Sequence, residues 1–139
     1  METVTDQLLA LIFETGRALR ERTLRGRLPL SLPQFAALWF IHEHDAPTMR
    51  DLARHLRVRP PSATFIAEEL VRGGFVRRSA DSVDGRCVRL GLSKNGKAVL
   101  ARAVRAQKNA VRGIFGALDI GDQRELVRIL GKLTQPRPL

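Results

Sequence analysis

Two short helices joined by a tight turn are predicted by residues 48–74, which read TMRDLARHLRVRPPSATFIAEELVRGG. Thr48 is suited to cap the first of these helices, which ends before Arg57. The second helix begins at one of the two prolines that follow and ends at Gly73, because proline suits a first helical turn and glycine a helix end. Two short helices at this separation form a helix-turn-helix pattern.

A β-hairpin is predicted directly after this pattern. Residues 75–79 (FVRRS) read as one strand, residues 80–86 (ADSVDGR) as a polar turn, and residues 87–92 (CVRLGL) as the returning strand. Apolar residues alternate along the second strand, as expected where one face of a hairpin is covered. The hairpin therefore has a charged tip.

Helices with apolar residues on one face are predicted on both sides of this region. They cover residues 6–24, a segment capped by Ser31, residues 94–116, which Ser93 is suited to cap, and residues 122–133. A winged core of roughly 60 residues cannot cover the apolar faces of the first and last helices, so we expect them to bury each other across a two-fold axis. In the last helix the residues expected to be buried are Leu126, Ile129, Leu130 and Leu133.

The charge balance indicates a polyanionic partner. The 139 residues include 24 Lys+Arg and 14 Asp+Glu, a net charge of +10, and 20 of the cations are arginine. An excess of this size in a compact chain is typical of nucleic-acid binding. Residues 46–90 hold nine cations and five anions, a net of +4, so much of the excess lies in the outer helices, at Arg17–Arg27 and Arg102–Arg112.

Several classes of protein are excluded or disfavoured by the sequence. The single cysteine, Cys87, excludes an intramolecular disulfide and a multi-cysteine zinc site, and His42 and His44 lack the spacing of a helical metal site. No apolar run reaches the roughly 18 residues of a membrane span, and the N-terminus lacks a basic signal region, so we expect a cytoplasmic protein. No catalytic motif is present, so we expect neither an enzyme nor a cofactor.

The motifs resemble those of the MarR-type transcriptional regulators. The helix-turn-helix resemblance is carried by residues 52–58 (LARHLRV), 60–64 (PPSAT) and 70–78 (LVRGGFVRR). Residues 81–86 (DSVDGR) and 90–96 (LGLSKNG) are similar to that family's D-x-x-D-x-R and L-x-L-(T/S)-x-x-G signature. The resemblance covers the chain in order and length. It implies a homodimer that binds pseudo-palindromic double-stranded DNA and is often released by a small ligand or by oxidation.

The fold class predicted is mainly α with a small β-hairpin, a winged helix-turn-helix with N- and C-terminal dimerisation helices. Residues 31–92 are expected to form the DNA-binding module, and residues 1–30 and 93–139 the dimerisation helices, in one compact domain overall. Pro136 and Pro138 are expected to close the chain in a frayed tail.

Five residues of the recognition helix and the wing are the main candidates for DNA contact. Ser62 and Thr64 lie in the first turns of the second helix, where side chains meet bases and phosphates. Phe65 is open to two interpretations, contact with a thymine methyl group or a place in the core. Arg86 is expected to enter the minor groove from the wing tip, held by a charge-assisted pair with Asp84.

Further arginines are candidates for contacts with backbone phosphates. Arg59 stands where a capping serine or threonine would normally precede a helix, and it is placed to reach a phosphate instead. The others flank the turn between the two helices or lie on the hairpin strands, where they are expected to touch phosphates or the recognition helix: Arg54, Arg57, Arg77, Arg78 and Arg89.

Three questions stay open at the level of sequence. Four aromatic residues could line a pocket for a small aromatic or apolar effector or could be ordinary core: Phe13, Phe35, Trp39 and Phe40. Cys87 could be a redox sensor or a small buried residue. The function predicted is a sequence-specific regulator of transcription, and the alternative is a nonspecific or architectural nucleic-acid-binding protein of the same fold.

Overall fold

The computed structural model describes residues 1–134, so the tail predicted at Pro136 and Pro138 lies outside the described residues. This part of the chain forms six helices and one two-stranded hairpin, which confirms the predicted fold class. In chain order the elements are α1 (Val4–Leu24), α2 (Leu32–Glu43), α3 (Met49–Leu56), α4 (Pro60–Arg72), β1 (Val76–Ala80), β2 (Val88–Leu92), α5 (Lys94–Phe115) and α6 (Ile120–Leu133).

The elements fall into two compact units. One unit, which we call the winged unit, is Leu28–Ala103 and holds α2, α3, α4, the hairpin and the first part of α5. The other, the outer unit, combines Met1–Arg27 with the chain from Val104 onward and holds α1, the rest of α5 and α6. Among the described residues, no helix is both long enough and apolar enough to cross a membrane.

The helix starts in the winged unit are fixed by short-range hydrogen bonds that the sequence predicts. Ser31 caps α2 in a capping box with Gln34, in which the backbone N–H of each residue donates to the other's side chain. Thr48 caps α3 in the same way with Asp51, whose carboxylate accepts from the Thr48 amide at 2.9 Å. That hydrogen bond lowers the pKa of Asp51, because it favours the charged carboxylate.

The turn between α3 and α4 is built without glycine and without a side-chain cap. Arg57 ends α3 in the left-handed conformation, with φ of 54°. Arg59 occupies the N-cap position of α4, and its side chain makes no capping hydrogen bond there, as the sequence predicts. Gly74 follows the far end of α4 with φ of 78°, a backbone conformation that favours glycine.

The hairpin strands are antiparallel and pair Val76 with Leu92 at the open end and Ala80 with Val88 at the turn. Both strands begin one residue later than the sequence predicts. Phe75 lies outside β1, although its carbonyl accepts from the Ser93 amide at 3.0 Å, next to the start of α5. A single antiparallel bridge between Thr48 and Arg89 connects β2 to the residue that caps α3.

The core of the winged unit draws one large side chain from each of four elements. Leu38 of α2, Leu52 of α3, Leu70 of α4 and Leu90 of β2 each have 1% or less of their surface exposed. Burial of this kind stabilises each leucine by about 1.5–3 kcal/mol relative to exposure. These contacts fix the orientation of α4 and the hairpin within the unit.

Ser93 joins three of these elements. Its hydroxyl donates to the carbonyl of Gly74 at 2.5 Å and accepts from the amide of Gly96 at 3.0 Å, which caps α5 as the sequence predicts. A Cβ atom on Gly96 would lie 2.0 Å from the carbonyl oxygen of Phe75, so only glycine permits this close approach. The end of α4, the end of β2 and the start of α5 therefore meet at one buried side chain.

The outer unit has almost no core of its own. Neither α1 nor α6 has a buried residue, and Ala110 of α5 is the one buried side chain among the described residues of this unit. The burial predicted for α6 is not found within a single chain: Leu126 is half-buried, whereas Ile129, Leu130 and Leu133 are 43%, 48% and 77% exposed. Besides α1 and α6 this unit holds only the part of α5 from Val104 onward among the described residues, which is too little to cover these faces.

Candidate nucleic-acid interface

Helix α4 turns one face to the core and the other to solvent. Ala63, Ala67 and Leu70 are buried on the inner face, at the spacing of successive helical turns. Ser62, Thr64 and Phe65, the candidates for DNA contact on this helix, are exposed on the outer side. The small inner residues let α4 lie close against the core and present its N-terminal turns outward.

Phe65 is one of the exposed large apolar residues of the winged unit. It is 58% exposed, so the alternative that placed it in the core is wrong. The hydroxyl of Thr64 donates to the carbonyl of Pro60 at 3.0 Å, within the first turn of the helix. Its oxygen is therefore left as an acceptor, while its methyl group stays available for apolar contact.

The wing turn is organised by two aspartates. The Asp81 carboxylate accepts from the amide of Val83 at 3.1 Å, and the Asp84 carboxylate accepts from the amide of Arg86 at 3.0 Å. The backbone closes the turn through a hydrogen bond from the Asp81 amide to the carbonyl of Cys87 at 2.8 Å. Each carboxylate therefore fixes the backbone two residues later, as in an Asx turn.

The charge-assisted side-chain pair predicted between Asp84 and Arg86 is wrong. The ion pairs found among residues 1–134 do not include these two side chains, and Asp84 holds Arg86 through its backbone amide instead. The Arg86 side chain is exposed. The wing tip thus has a fixed backbone and a guanidinium that is free to meet a ligand.

The remaining candidate arginines divide into two groups. Five of them are exposed around the turn and on β1: Arg54, Arg57, Arg59, Arg77 and Arg78. Arg89 differs, because its guanidinium donates to the carbonyl of Ala46 at 3.1 Å and to the carboxylate of Asp81 at 3.0 Å, rather than to the recognition helix. The Asp81 pKa is lowered by the Val83 amide and by Arg89, whose own pKa is raised by Asp81.

An open groove of about 750 Å³ lies between the first turns of α3 and the wing. Its cationic lining comes from Arg50 and Arg54 on α3 and from Arg86 and Arg89 on the hairpin. Arg50 was not among the residues predicted from the sequence. Its position four residues before Arg54, which places the two on the same face of α3, is the signal that would have identified it.

The predicted effector residues are divided between the two units. Phe13 belongs to the outer unit and is 69% exposed. In the winged unit, Phe35 and Trp39 stack with their ring centroids 6.4 Å apart and are both half-buried. Phe40 is 6% exposed, with the rings of His44 and His55 at 4.2 and 4.4 Å.

The histidines and Cys87 are not arranged as a metal site among residues 1–134. Burial and the neighbouring His44 lower the pKa of His55, because both disfavour the imidazolium. Residues 1–134 contain no group of three or more metal-ligating side chains. Cys87 is half-buried at the edge of the groove.

Comparison with known proteins agrees with this architecture. The model of the MarR family matches residues 30–88, the segment that holds α2, the helix-turn-helix, β1 and the wing turn. The HTH-type transcriptional repressor Rv2887 of Mycobacterium tuberculosis is 30% identical over 125 residues, which are 88% of this chain and 90% of that protein.

Solved structures share the fold over nearly the whole chain. Apo MarR from Escherichia coli superposes with a TM-score of 0.77 at 21% identity, over 96% of this chain and 98% of that one. BpsR of Bordetella bronchiseptica, whose DNA binding is regulated by 6-hydroxynicotinic acid, gives a TM-score of 0.75 at 19% identity, over 94% and 95%. Three findings agree: the winged unit, the segment matched by the family model and the extent of the relationship to Rv2887. This chain therefore belongs to the MarR family of winged helix-turn-helix transcriptional regulators.

Proposed function

We propose that the chain is a homodimeric repressor that binds a pseudo-palindromic operator, with α4 in the major groove and Arg86 in the minor groove. The observation that carries this proposal is the wing turn, in which the Arg86 backbone is held by Asp84 while its guanidinium is left exposed. A narrow minor groove attracts such an arginine through its enhanced negative potential. We place the protein with its DNA, in the cytoplasm.

The exposed face of α4 supports a specific kind of readout. Ser62 can donate or accept, whereas Thr64 can only accept, because its hydrogen is used by the Pro60 carbonyl. Phe65 presents an apolar surface beside them, suited to the methyl group of thymine. We therefore expect at least one thymine in each half-site, opposite the first turns of α4.

The apolar faces of the outer unit support a dimer. Leu8, Leu9 and Ile12 on α1 are 55–66% exposed, and α6 leaves a comparable face uncovered. A two-fold axis would bury both faces against a second copy of the chain and set two recognition helices side by side. Their half-sites would then lie about one helical turn of DNA, roughly 10–10.5 base pairs, apart.

An aromatic effector remains part of the proposal. The half-buried pair Phe35 and Trp39 offers ring faces to a planar ligand, whereas Phe40 is already covered by two histidines. The relative BpsR responds to 6-hydroxynicotinic acid, which is a single aromatic ring. Quenching of the one tryptophan fluorophore, Trp39, by a panel of monocyclic aromatic acids would test this.

The central experiment is selection of bound DNA from a random pool. The proposal expects an enriched palindrome that contains thymine, bound more tightly than random DNA by a factor of about 10³–10⁷. Arg86→Ala should lower the affinity for the selected site and leave the size of the dimer in gel filtration unchanged. Arg72→Ala is the matched control, because Arg72 is an exposed arginine on α4 that pairs with Glu69.

The competing function, a nonspecific or architectural DNA-binding protein, rests on the net charge of +10. It predicts no enriched sequence and a steep salt dependence on every DNA tested. This alternative would be favoured over the specific regulator if no sequence were enriched in the selection and if Arg86→Ala and Arg72→Ala lowered DNA affinity equally.

A further inference from the structure

Arg89 makes the one ion pair that spans the base of the wing among the described residues. One nitrogen of its guanidinium donates to the Asp81 carboxylate at 3.0 Å and another to the carbonyl of Ala46 at 3.1 Å. The Asp81 and Arg89 side chains are 16% and 36% exposed, so the pair is partly shielded from water. The planar fork of arginine suits this use, because its N–H groups can serve two separate acceptors at once.

The two acceptors belong to different parts of the winged unit. Asp81 directly follows β1, so it marks the point where the wing leaves the paired strands. Ala46 lies in the loop between α2 and α3 and has a left-handed φ of 44°. The neighbouring Pro47 carbonyl accepts from the Leu90 amide at 2.9 Å, so this loop is already held against β2. Arg89, which lies on β2, therefore connects the loop before α3 to the end of β1.

The groove beside this connection is lined by cations from both α3 and the hairpin. Arg50 and Arg54 come from α3, and Arg86 comes from the wing, and all three side chains are exposed. Arg89 lines the same groove, but its charge is paired with Asp81. Three of the four arginines are thus left for contact with DNA, and the fourth holds together the two elements that carry them.

We propose that Arg89 is a positioning residue for DNA binding, which holds the wing against the start of α3 so that Arg86 meets the DNA at a fixed distance from the recognition helix. This inference rests on the proposed operator binding. Arg89 acts through Arg86 and contributes no phosphate contact of its own. The alternative role, direct contact between Arg89 and a phosphate, predicts effects of opposite sign.

Asp81→Asn separates the two roles, since it removes the carboxylate and keeps an acceptor for the Val83 amide. If Arg89 positions the wing, this variant binds the operator about tenfold more weakly although the chain gains one positive charge, a loss typical of residues in one network. If Arg89 contacts a phosphate, Asp81→Asn frees it and binding becomes tighter. Glu69→Gln is the matched control, because it causes the same charge change and removes the ion pair with Arg72.

A double-mutant cycle with Arg86 provides the second measurement. Arg89→Met is expected to weaken binding about tenfold in the wild-type background and to have almost no effect once Arg86→Ala is present, because the positioned group is then gone. A full additional loss in the Arg86→Ala background would overturn the proposal. Thermal melting of each variant checks that it is folded, and Asp81→Asn decides the case if Arg89→Met is not.

The reactivity of Cys87 gives a readout that needs no DNA. Cys87 is the one cysteine of the chain and lies at the edge of the groove, half-buried. Its rate of reaction with a thiol reagent such as DTNB should rise in Asp81→Asn and Arg89→Met and stay unchanged in Glu69→Gln. Unchanged rates in all three variants would overturn the positioning role. A wild-type chain that selects no operator would instead contradict the proposed function, and the thiol rates would still report on the wing.

Discussion

The winged unit and the outer unit differ in how far a single chain completes them. In the winged unit four leucines from four elements meet in a closed core, with 1% or less of each exposed. In the outer unit, two long helices, α1 and α6, have no buried residue. The difference shows that one part of the molecule folds around its own side chains, whereas the other leaves its apolar faces uncovered in a single chain.

The polar faces of the two outer helices show which side is built for water. Arg17 pairs with Glu14 and Glu21 on α1, and Arg128 pairs with Glu125 on α6. Pairs of this kind at helical spacing contribute little to stability and mark a solvated face. The apolar residues lie at other positions of the same helices. Each helix therefore has a solvated polar face and an apolar face that no other part of the described chain covers.

The largest expected effect breaks the outer unit. Ile129→Asp places a charge on the uncovered face of α6, which we expect to be buried without a partner in the dimer. The dimer should dissociate or the chain should unfold, as measured by sedimentation velocity. Val83→Asp is the control: Val83 is 94% exposed at the wing turn, and its replacement should leave the dimer intact. A dimeric, DNA-binding Ile129→Asp protein would contradict the interface.

The next prediction separates the two units by concentration. Leu52→Ala removes a fully buried side chain and should lower the free energy of unfolding by about 2–5 kcal/mol, whatever the protein concentration, if the winged unit is complete by itself. Leu9→Ala removes a side chain that is 56% exposed in one chain, so its effect should depend on dimer formation. Denaturant melts at two protein concentrations measure both. A Leu9→Ala loss that is independent of concentration would count against the contrast.

A smaller effect compares two equivalent helix caps. Thr48 and Thr3 both form capping boxes, with Asp51 and Asp6 respectively. Thr48→Ala should lower the free energy of unfolding by about 1 kcal/mol, because α3 is anchored in the closed core. Thr3→Ala should cost less, since the first turn of α1 is exposed. Equal losses in thermal melts would show that the start of α1 is as firmly held as that of α3.

The smallest effect is a pH dependence confined to the winged unit. The folded-state pKa of His55 is lowered from about 6.5, chiefly by burial, so below that pH the unfolded chain binds the proton more strongly. Stability from this group is complete above pH 6.5 and falls as the pH decreases. His55→Phe should flatten the decline between pH 7.5 and 5.5 while keeping a ring against Phe40. A decline in His55→Phe as steep as that of the wild-type chain would contradict this role of His55.

Short-range features of the winged unit could be predicted from the sequence. The caps at Ser31, Thr48 and Ser93 and the uncapped start of α4 at Arg59 each depend on residues within four positions along the chain. Glycine and proline then set the helix ends. Such signals do not depend on the rest of the fold, which is why they are legible before it is known.

Contacts between distant residues could not be predicted in the same way. Arg89 meets Ala46, 43 positions away, only because the register of the hairpin and the bridge to Thr48 bring them together. The side-chain pair predicted between Asp84 and Arg86 is wrong because the sequence motif could not show that the donor is the Arg86 backbone amide rather than its guanidinium. Phe65 was ambiguous for a similar reason: its helical position is compatible with either face until Ala63 and Ala67 are seen to be the buried ones.

The hydroxyl of Ser93 makes the winged unit mechanically continuous. It holds the carbonyl of Gly74, just past the end of α4, and the amide of Gly96, in the first turn of α5, while the Ser93 amide holds Phe75. The backbones of Gly96 and Phe75 are closely packed here, because a single added carbon at Gly96 would collide with the Phe75 backbone. A displacement of the first turn of α5 would therefore also displace the C-terminal end of the recognition helix, because the Ser93 hydroxyl oxygen is bonded to both.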